Sequence, residues 1–244
     1  WNMGDVLAEE EKACIANEEK LPGVAMFNDY FRETIIHYIS GNTSIDEDVM
    51  KVISGQNSYL DASQSINYCE CHDDYTFYDR MLIYKKEDRK QVNQARSLLA
   101  FSLVLLSKGL PFIHSGQEFF RTKTGIRNSY NAPDEVNRLD WDRRDRYDPA
   151  VNYFRDLIAI RKQYPELSDP ETKMTFSCNG ACLVYEIPGL RVIINPGDSD
   201  QVYADGSRHE MIFDHKGSCH FSGNSIPVSA YSLVICKDEC SIIE

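Results

Sequence analysis

The stretch INYCECHDDYTFYDRM, residues 66–81, decides how the first two-thirds of this chain folds. It opens as an apolar strand over 66–71 and closes as the start of a helix near Thr76. Between them stand His72, Asp73 and Asp74, where an unpaired charge is costly to bury, so the strand must run out into a polar, open place. A second segment, LPFIHSGQEFF at 110–120, repeats the pattern. On its own a His-Asp pair after a strand has two readings: a site at the strand end, or Asp73 as the cap of the helix that follows.

Around these stretches strand and helix alternate. GVAMFN (23–28) reads as a short strand, and DYFRETIIHYIS (29–40) carries Phe31, Ile35, Ile36 and Ile39 at helical spacing. SIDEDVMKVISG (44–55) has Ser44 as N-cap, Glu47 three residues on and Gly55 at its end. RKQVNQARSLLAFSLVLLSKG (89–109) is the longest helix; its second half is apolar nearly all round, which predicts deep packing, and Gly109 stops it. DPAVNYFRDLIAIRKQYPEL (148–167) is a further helix, with Pro149 in its first turn and Pro165 at its end. Strands separated by helices imply a parallel sheet with right-handed crossovers, whose ligands bind at the C-terminal strand ends. There the HDD and HSGQE residues fall. From about Ser168 the texture changes. KMTFSCNG, CLVYEI, RVIINPG, HEMIFDHKG and SAYSLVICK are short strands between Gly, Pro and Asp/Asn turns, with a hairpin signal at Pro188-Gly189. The chain therefore divides into an α/β region over 1–167 and an all-β antiparallel sandwich over 168–244.

The 244 residues give room for a substantial core, and 42% hydrophobic with 26% charged residues is ordinary for a globular protein. A net charge of −12 argues against a nucleic-acid backbone or an anionic membrane surface as partner; it fits a neutral ligand and equally plain solubility. No apolar run reaches the ~18 residues of a spanning helix, and the opening WNMGDVLAEEEK has no signal-peptide pattern. The eight cysteines do not form a framework. Cys69 and Cys71, two apart on one strand, are badly placed for a disulfide, and CNGAC (Cys178, Cys182) and CKDEC (Cys236, Cys240) lack the CxxC spacing of common zinc sites. Most read as small hydrophobes in a reducing compartment, which favours the cytoplasm; any secretion signal would lie upstream of Trp1. No metal or cofactor motif is present.

INYCECHDDYTFYDRM, GLPFIHSGQEFFRTKTGIRNSYNAPDEVNRLDW and FRDLIAIRKQYPEL occur in that order. Together they closely resemble the last part of type I pullulanases, of the α-amylase superfamily of glycoside hydrolases. The opening WNMGDVLAEEEKACIANEEKLPGVAMFNDYFRETI resembles the same enzymes just after their catalytic glutamate. The likeness spans residues 1–167; the last third is compatible with the family's C-terminal β-domain. This resemblance implies strands six to eight of a (β/α)8 TIM barrel. It also implies retaining hydrolysis of α-1,6-glucosidic branch linkages in pullulan, glycogen or starch-derived limit dextrins.

Retention needs one carboxylate as nucleophile and one as acid/base, and a third stabilises the charge developing on the sugar. The resemblance assigns that third role to Asp73 and the holding of sugar hydroxyls to His72. It places the nucleophile and the acid/base outside this sequence, so a fragment with one of three carboxylates, inactive alone, is expected. Glu70 and Asp74 are not substitutes. Strand alternation turns Glu70 away from Cys69 and Cys71, and Asp74 stands where the family leads one to expect asparagine. Trp1 resembles a sugar platform. Phe27 is a second platform or a core residue. Asp134 and Arg138 match a pair that binds glucose, or else form an i,i+4 surface ion pair. Glu118 reads as a structural acceptor, and His209, His215 and His220 carry no ligand role.

Two other classes remain open: an inactive glucan-binding or interaction module, and an isoamylase-like or debranching relative, against which the wording NSYNAPDEVNRLDW weighs. A partial barrel leaves the strands at Gly23 and Leu110 short of a neighbour. The expected partner there is the missing N-terminal half or a second copy in a homodimer.

Overall fold

The computed structural model describes residues 6–41, 47–56 and 62–238. Ser44, Trp1 and Cys240, named above, lie outside these. The first strand, β1 (Met26–Phe27), hands directly to α1 (Asp29–Ile39). Asn28 makes the junction: its Oδ1 accepts the Phe31 N–H at 2.9 Å, satisfying a donor that the first helical turn leaves over. The predicted face of Phe31, Ile35, Ile36 and Ile39 is buried. α2 (Glu47–Ser54) ends at Gly55, whose φ of +72° is the left-handed turn that glycine permits. Next come β2 (Ser65–Asn67), α3 (Phe77–Tyr84), α4 (Lys90–Leu106) and β3 (Leu110–Pro111). α4 is as deeply packed as its sequence requires, with Leu99 to Leu106 buried throughout.

The three strands form a parallel sheet with β2 central, pairing Phe27 with Ile66 and Ile66 with Leu110. All three are shorter than predicted. The strand expected over 66–71 ends at Asn67. β1 has by then turned into α1, and Glu70 folds inward to accept the Phe77 N–H at 2.7 Å, which takes the chain out of the ladder. A file of buried side-chain hydrogen bonds crosses the sheet. Asn28 Nδ2 donates to Ser65 Oγ (2.8 Å), Ser65 Oγ to Asn67 Oδ1 (2.7 Å), and Asn67 Nδ2 to the Lys108 carbonyl (2.7 Å).

α5 (Asp134–Asn137), α6 (Trp141–Arg146) and α7 (Asp148–Gln163) follow, α7 with a proline in its first turn as predicted. The β-region holds β4 (Thr175–Asn179), β5 (Cys182–Ile187), β6 (Leu190–Asn195), β7 (Gln201–Tyr203), β8 (His209–Asp214), β9 (Gly217–Gly223), β10 (Ile226–Val228) and β11 (Ser232–Asp238). Six of them make one antiparallel sheet in the order β4-β5-β6-β11-β8-β9; β7 and β10 make a second, two-stranded antiparallel sheet. The Pro188-Gly189 hairpin is present, closing with Ile187 opposite Leu190 and φ +77° at Gly189.

Alternation splits the large sheet cleanly. Leu183, Tyr185, Val192, Ile194, Leu233 and Ile235 join the core of the helices, while Val184, Ile193, Val234 and Cys236 face β7 and β10. The expected sandwich is thus asymmetric, with helices on one side and a short ribbon on the other. One continuous apolar cluster runs from Phe31 to Ile235 across the 167/168 boundary. Polar ties cross it too: the Tyr185 hydroxyl donates to the Leu106 carbonyl at 3.0 Å. No helix among the described residues is long and apolar enough to cross a membrane.

Gly109 has a φ of +120°, and a β-carbon there would lie 2.6 Å from Asn67 Nδ2 and 3.0 Å from the Ser65 carbonyl oxygen. Gly109→Ala is therefore expected to cost at least about 2 kcal/mol, read as a lowered urea midpoint at unchanged m-value.

Candidate functional site

The 72–74 loop stands beyond β2, beside a cleft of about 940 Å³ walled by Ala25, Phe27, Asp29, Arg32, Tyr68, Cys71, His72 and Asp73 together with the 9–16 segment. Of the residues singled out in the sequence, Phe27, His72 and Asp73 come together here. His72 and Asp73 keep side-chain exposures of 70% and 67%, and His72 Nε2 lies 3.4 Å from Asp73 Oδ1. Thr76, not Asp73, caps α3: its Oγ1 accepts the Asp79 N–H at 3.1 Å. That removes the alternative structural reading of Asp73. Phe27 is not core. It is partly exposed on the cleft and held edge-on by Tyr68 and Phe112, with ring centroids 5.0 and 5.1 Å away.

Asp134 and Arg138 are exposed and lie outside the cleft wall, the one opening the short α5 and the other just past its end. Their link is a backbone one, the Arg138 N–H to the Asp134 carbonyl at 2.7 Å, and no side-chain ion pair joins them among the described residues. Glu70 points into the protein. Its Oε1 meets His114 Nδ1 at 3.0 Å, and His114 Nε2 accepts from Arg121 Nη1 at 3.2 Å, which fixes the proton on Nδ1. Glu118 accepts the Gly116 N–H at 3.1 Å, the structural part expected of it. His209 is buried against Asp205 (2.8 Å) and Asp238 (3.1 Å) in the β-region, whereas His215 and His220 are surface residues. The seven described cysteines are free; Cys69, Cys182 and Cys236 are buried, Cys14, Cys71 and Cys219 half-buried and Cys178 exposed, so full burial holds for three of them and not for most. Among the described residues no group of three or more His, Cys, Asp or Glu is placed to hold a metal.

Sequence reasoning missed two features of this wall. The Tyr68 hydroxyl donates to Asp29 Oδ1 and accepts from Arg32 Nη1 at 2.6 Å. Burial first, then the Asp29 hydrogen bond, raise its pKa, so Tyr68 is a fixed neutral donor. Tyr68 lies inside the decisive stretch, but nothing local announces partners 36 and 39 residues away. The second is the anchoring of the loop. Asp74 sits at φ +58°, its Oδ2 on Arg80 Nη2 (3.0 Å), its Oδ1 on Arg127 Nε (2.9 Å), and its N–H on Asn128 Oδ1 (3.0 Å). Asp74 thus holds the loop in shape while Asp73 faces the cleft. An exposed carboxylate, a histidine and aromatic rings lining one cleft can hydrogen-bond hydroxyls and pack against an apolar face, as a polyhydroxylated ligand requires.

The chain is similar to the pullulanase of Bacillus subtilis (strain 168), 40% identical over 181 residues that make up 68% of this chain and 25% of that protein. Its fold matches the crystal structure of a pullulanase from Anoxybacillus sp. LM18-11 complexed with maltotriose, at a TM-score of 0.89 and 30% identity, over 98% of this chain and 37% of that one. It also matches the type I pullulanase of Bacillus subtilis str. 168 complexed with maltose, at a TM-score of 0.88 and 30% identity, over 97% of this chain and 38% of that one. The chain spans a quarter of the first relative's length and under two-fifths of the two crystallised chains. No family model matches it.

For Asp74, burial opposes ionisation, but the Arg127 and Tyr75 hydrogen bonds and the Arg80 charge outweigh it, and the pKa falls below the ordinary 3.8. A carboxylate lowered in the folded state stabilises above its unfolded pKa, and that contribution is lost as pH falls through the folded value. Asp74→Asn should therefore lower stability by about 0.5–1 kcal/mol at pH 7, discounted because the group is partly wet. The wild-type advantage should shrink to nothing in the acid limb of a urea-midpoint series against pH.

Proposed function

Type I pullulanases are homologues of this chain, and on that premise we propose that it is part of a retaining α-1,6-glucan hydrolase. The observation that carries the reading is the exposed Asp73 carboxylate on a cleft beyond a parallel strand, with its neighbour Asp74 committed to holding the loop. In this reading β1, β2 and β3 are the sixth, seventh and eighth strands of a (β/α)8 barrel, residues 1–167 belong to the barrel, and 168–244 form the C-terminal β-domain. The substrate is an α-glucan: pullulan, glycogen or a limit dextrin.

Asp73 would stabilise the oxocarbenium-like charge on the sugar at the scissile bond, a carboxylate fixed before charge develops. His72, 3.4 Å from that carboxylate, would hold hydroxyls of the same sugar. The Phe27 ring and Tyr68 shape the wall, and Trp1 would supply a platform on the leaving-group side. Asp134 and Arg138 would act outside the cleft, on a glucose further from the bond. The nucleophile and the acid/base come from the rest of the barrel, so this chain contributes one carboxylate of the three that the chemistry uses.

The sheet supports a partner on its open sides. Among the described residues β1 and β3 are its edges, and Val24 just before β1 and Leu110 in β3 are 46% and 45% exposed. Unpaired edges of this kind take up another strand, either from the rest of the barrel or from a second copy.

The 244-residue chain alone should release no reducing sugar from pullulan above buffer; release that Asp73→Ala abolishes would contradict the division of carboxylates. Light scattering on the same chain should give a mass above its 28.0 kDa. A stable 28.0 kDa monomer that binds no apolar dye would remove the open-edge reading. In the complete protein Asp73→Asn should lower kcat by at least ~10²-fold with KM little changed, because the lost interaction belongs to the transition state. Near-normal turnover would take Asp73 out of the chemistry.

A further inference from the structure

Lys123 is 1% exposed, beneath the 72–74 loop. Its ammonium donates to three backbone carbonyls: His72 (3.1 Å), Asp74 and Arg127 (3.1 Å). An ammonium has three N–H donors, so the group is saturated by main chain alone. No carboxylate lies within ion-pair distance of it among the described residues; Glu70 and Asp79 act only at longer range, and burial, the larger effect, lowers its pKa. A charge buried without an ion-pair partner costs stability, and a methionine of similar shape would avoid that cost. What the ammonium supplies is a converging triple donor, and two of its acceptors are the carbonyls on either side of Asp73.

From this geometry we infer that Lys123 is a positioning residue for the Asp73 carboxylate; the inference rests on the role proposed for Asp73 above. The Asp73 side chain is largely in solvent, and among the described residues its one side-chain ion-pair contact is to His72, so its direction follows mainly from the backbone. Lys123 fixes the carbonyls before and after that backbone. Asp74 at φ +58° is an uncommon conformation for a residue with a β-carbon, and it persists because the surroundings hold it. Lys123 is itself fixed from below. Its N–H donates to Asp79 Oδ2 at 2.6 Å, and Asp79 Oδ1 accepts from the Thr122 hydroxyl, inside the first turn of α3. A line of support thus runs from α3 through Asp79 and Lys123 to the peptide groups around Asp73. Fixing a charged group before the reaction is what makes it effective against a developing opposite charge.

The test is a double-mutant cycle on pullulan in the complete protein, with Lys123→Met, Asp73→Asn and both together. Lys123→Met should lower kcat by roughly 10- to 100-fold with KM within about threefold, and should cause no further loss in the Asp73→Asn background. Lys123→Gln, which keeps two donors, should fall between and covers the case in which the methionine variant does not fold. A loss of the same size in both backgrounds, or kcat within about twofold of wild type, overturns the inference. Should the unmodified protein leave pullulan intact, or Asp73→Asn be fully active, it is the proposed function that fails. Hydrogen exchange in the 244-residue chain then decides the anchoring. The Asp74 amide should exchange at least ~10-fold faster in Lys123→Met or Lys123→Gln while α4 amides are unchanged. An unchanged Asp74 rate overturns it.

Discussion

The file of side-chain hydrogen bonds from Asn28 through Ser65 and Asn67 to the Lys108 carbonyl is the constraint on which the rest of the α/β region depends. Strands of two or three residues make too few ladder bonds to fix their own register. The buried amides and hydroxyl fix it instead, because each leaves a partner unsatisfied if a strand slips, and an unsatisfied buried polar group costs about 1–3 kcal/mol. The same file explains Gly109. The backbone carrying Lys108 to β3 must pass so close to Asn67 that no side chain fits between them.

Register then sets the site. With Phe27 beside Ile66, the Phe27 ring reaches Tyr68, and Tyr68 reaches Asp29 and Arg32 at the start of α1. The short ladder also releases residues 68–74 to do separate tasks. Glu70 turns inward to bind the start of α3 and His114, while His72 and Asp73 turn out into the cleft. Two adjacent aspartates end with opposite duties, one bound by Arg80 and Arg127 and one facing solvent. Identity of side chain cannot distinguish them; the conformation of Asp74 does.

Much of this was legible in advance. Helical spacing placed α1, α4 and α7, Pro188-Gly189 placed the hairpin, and the cost of burying His-Asp-Asp placed an open, polar loop after β2. What was not legible depended on distant partners. Strand lengths came out long because a run of apolar residues says nothing of where the neighbouring strand ends. β7, β9 and β10 went unseen because QVY, GSCHFSG and IPV carry little local strand signal; β7 and β10 gain their places by covering the large sheet, and β9 by pairing at its edge with β8. Asp134 and Arg138 are four apart on a helical spacing, yet the helix stops between them. Lys123 in RTKTG has no local signal of its burial; the carbonyls it meets are distant or set by the loop's shape.

The continuous apolar cluster across residue 167 bears on how such chains are inherited. A module that can be shuffled between proteins needs a wettable surface where it joins its neighbour. Here the face of the six-stranded sheet that meets α4 and α7 carries Tyr185, Leu183, Leu233 and Phe213, with the Tyr185 hydroxyl bonded to a helix carbonyl. Cutting the chain at this point would leave apolar surface bare on both pieces. A substitution on either side of this seam is therefore felt by the shape of the other.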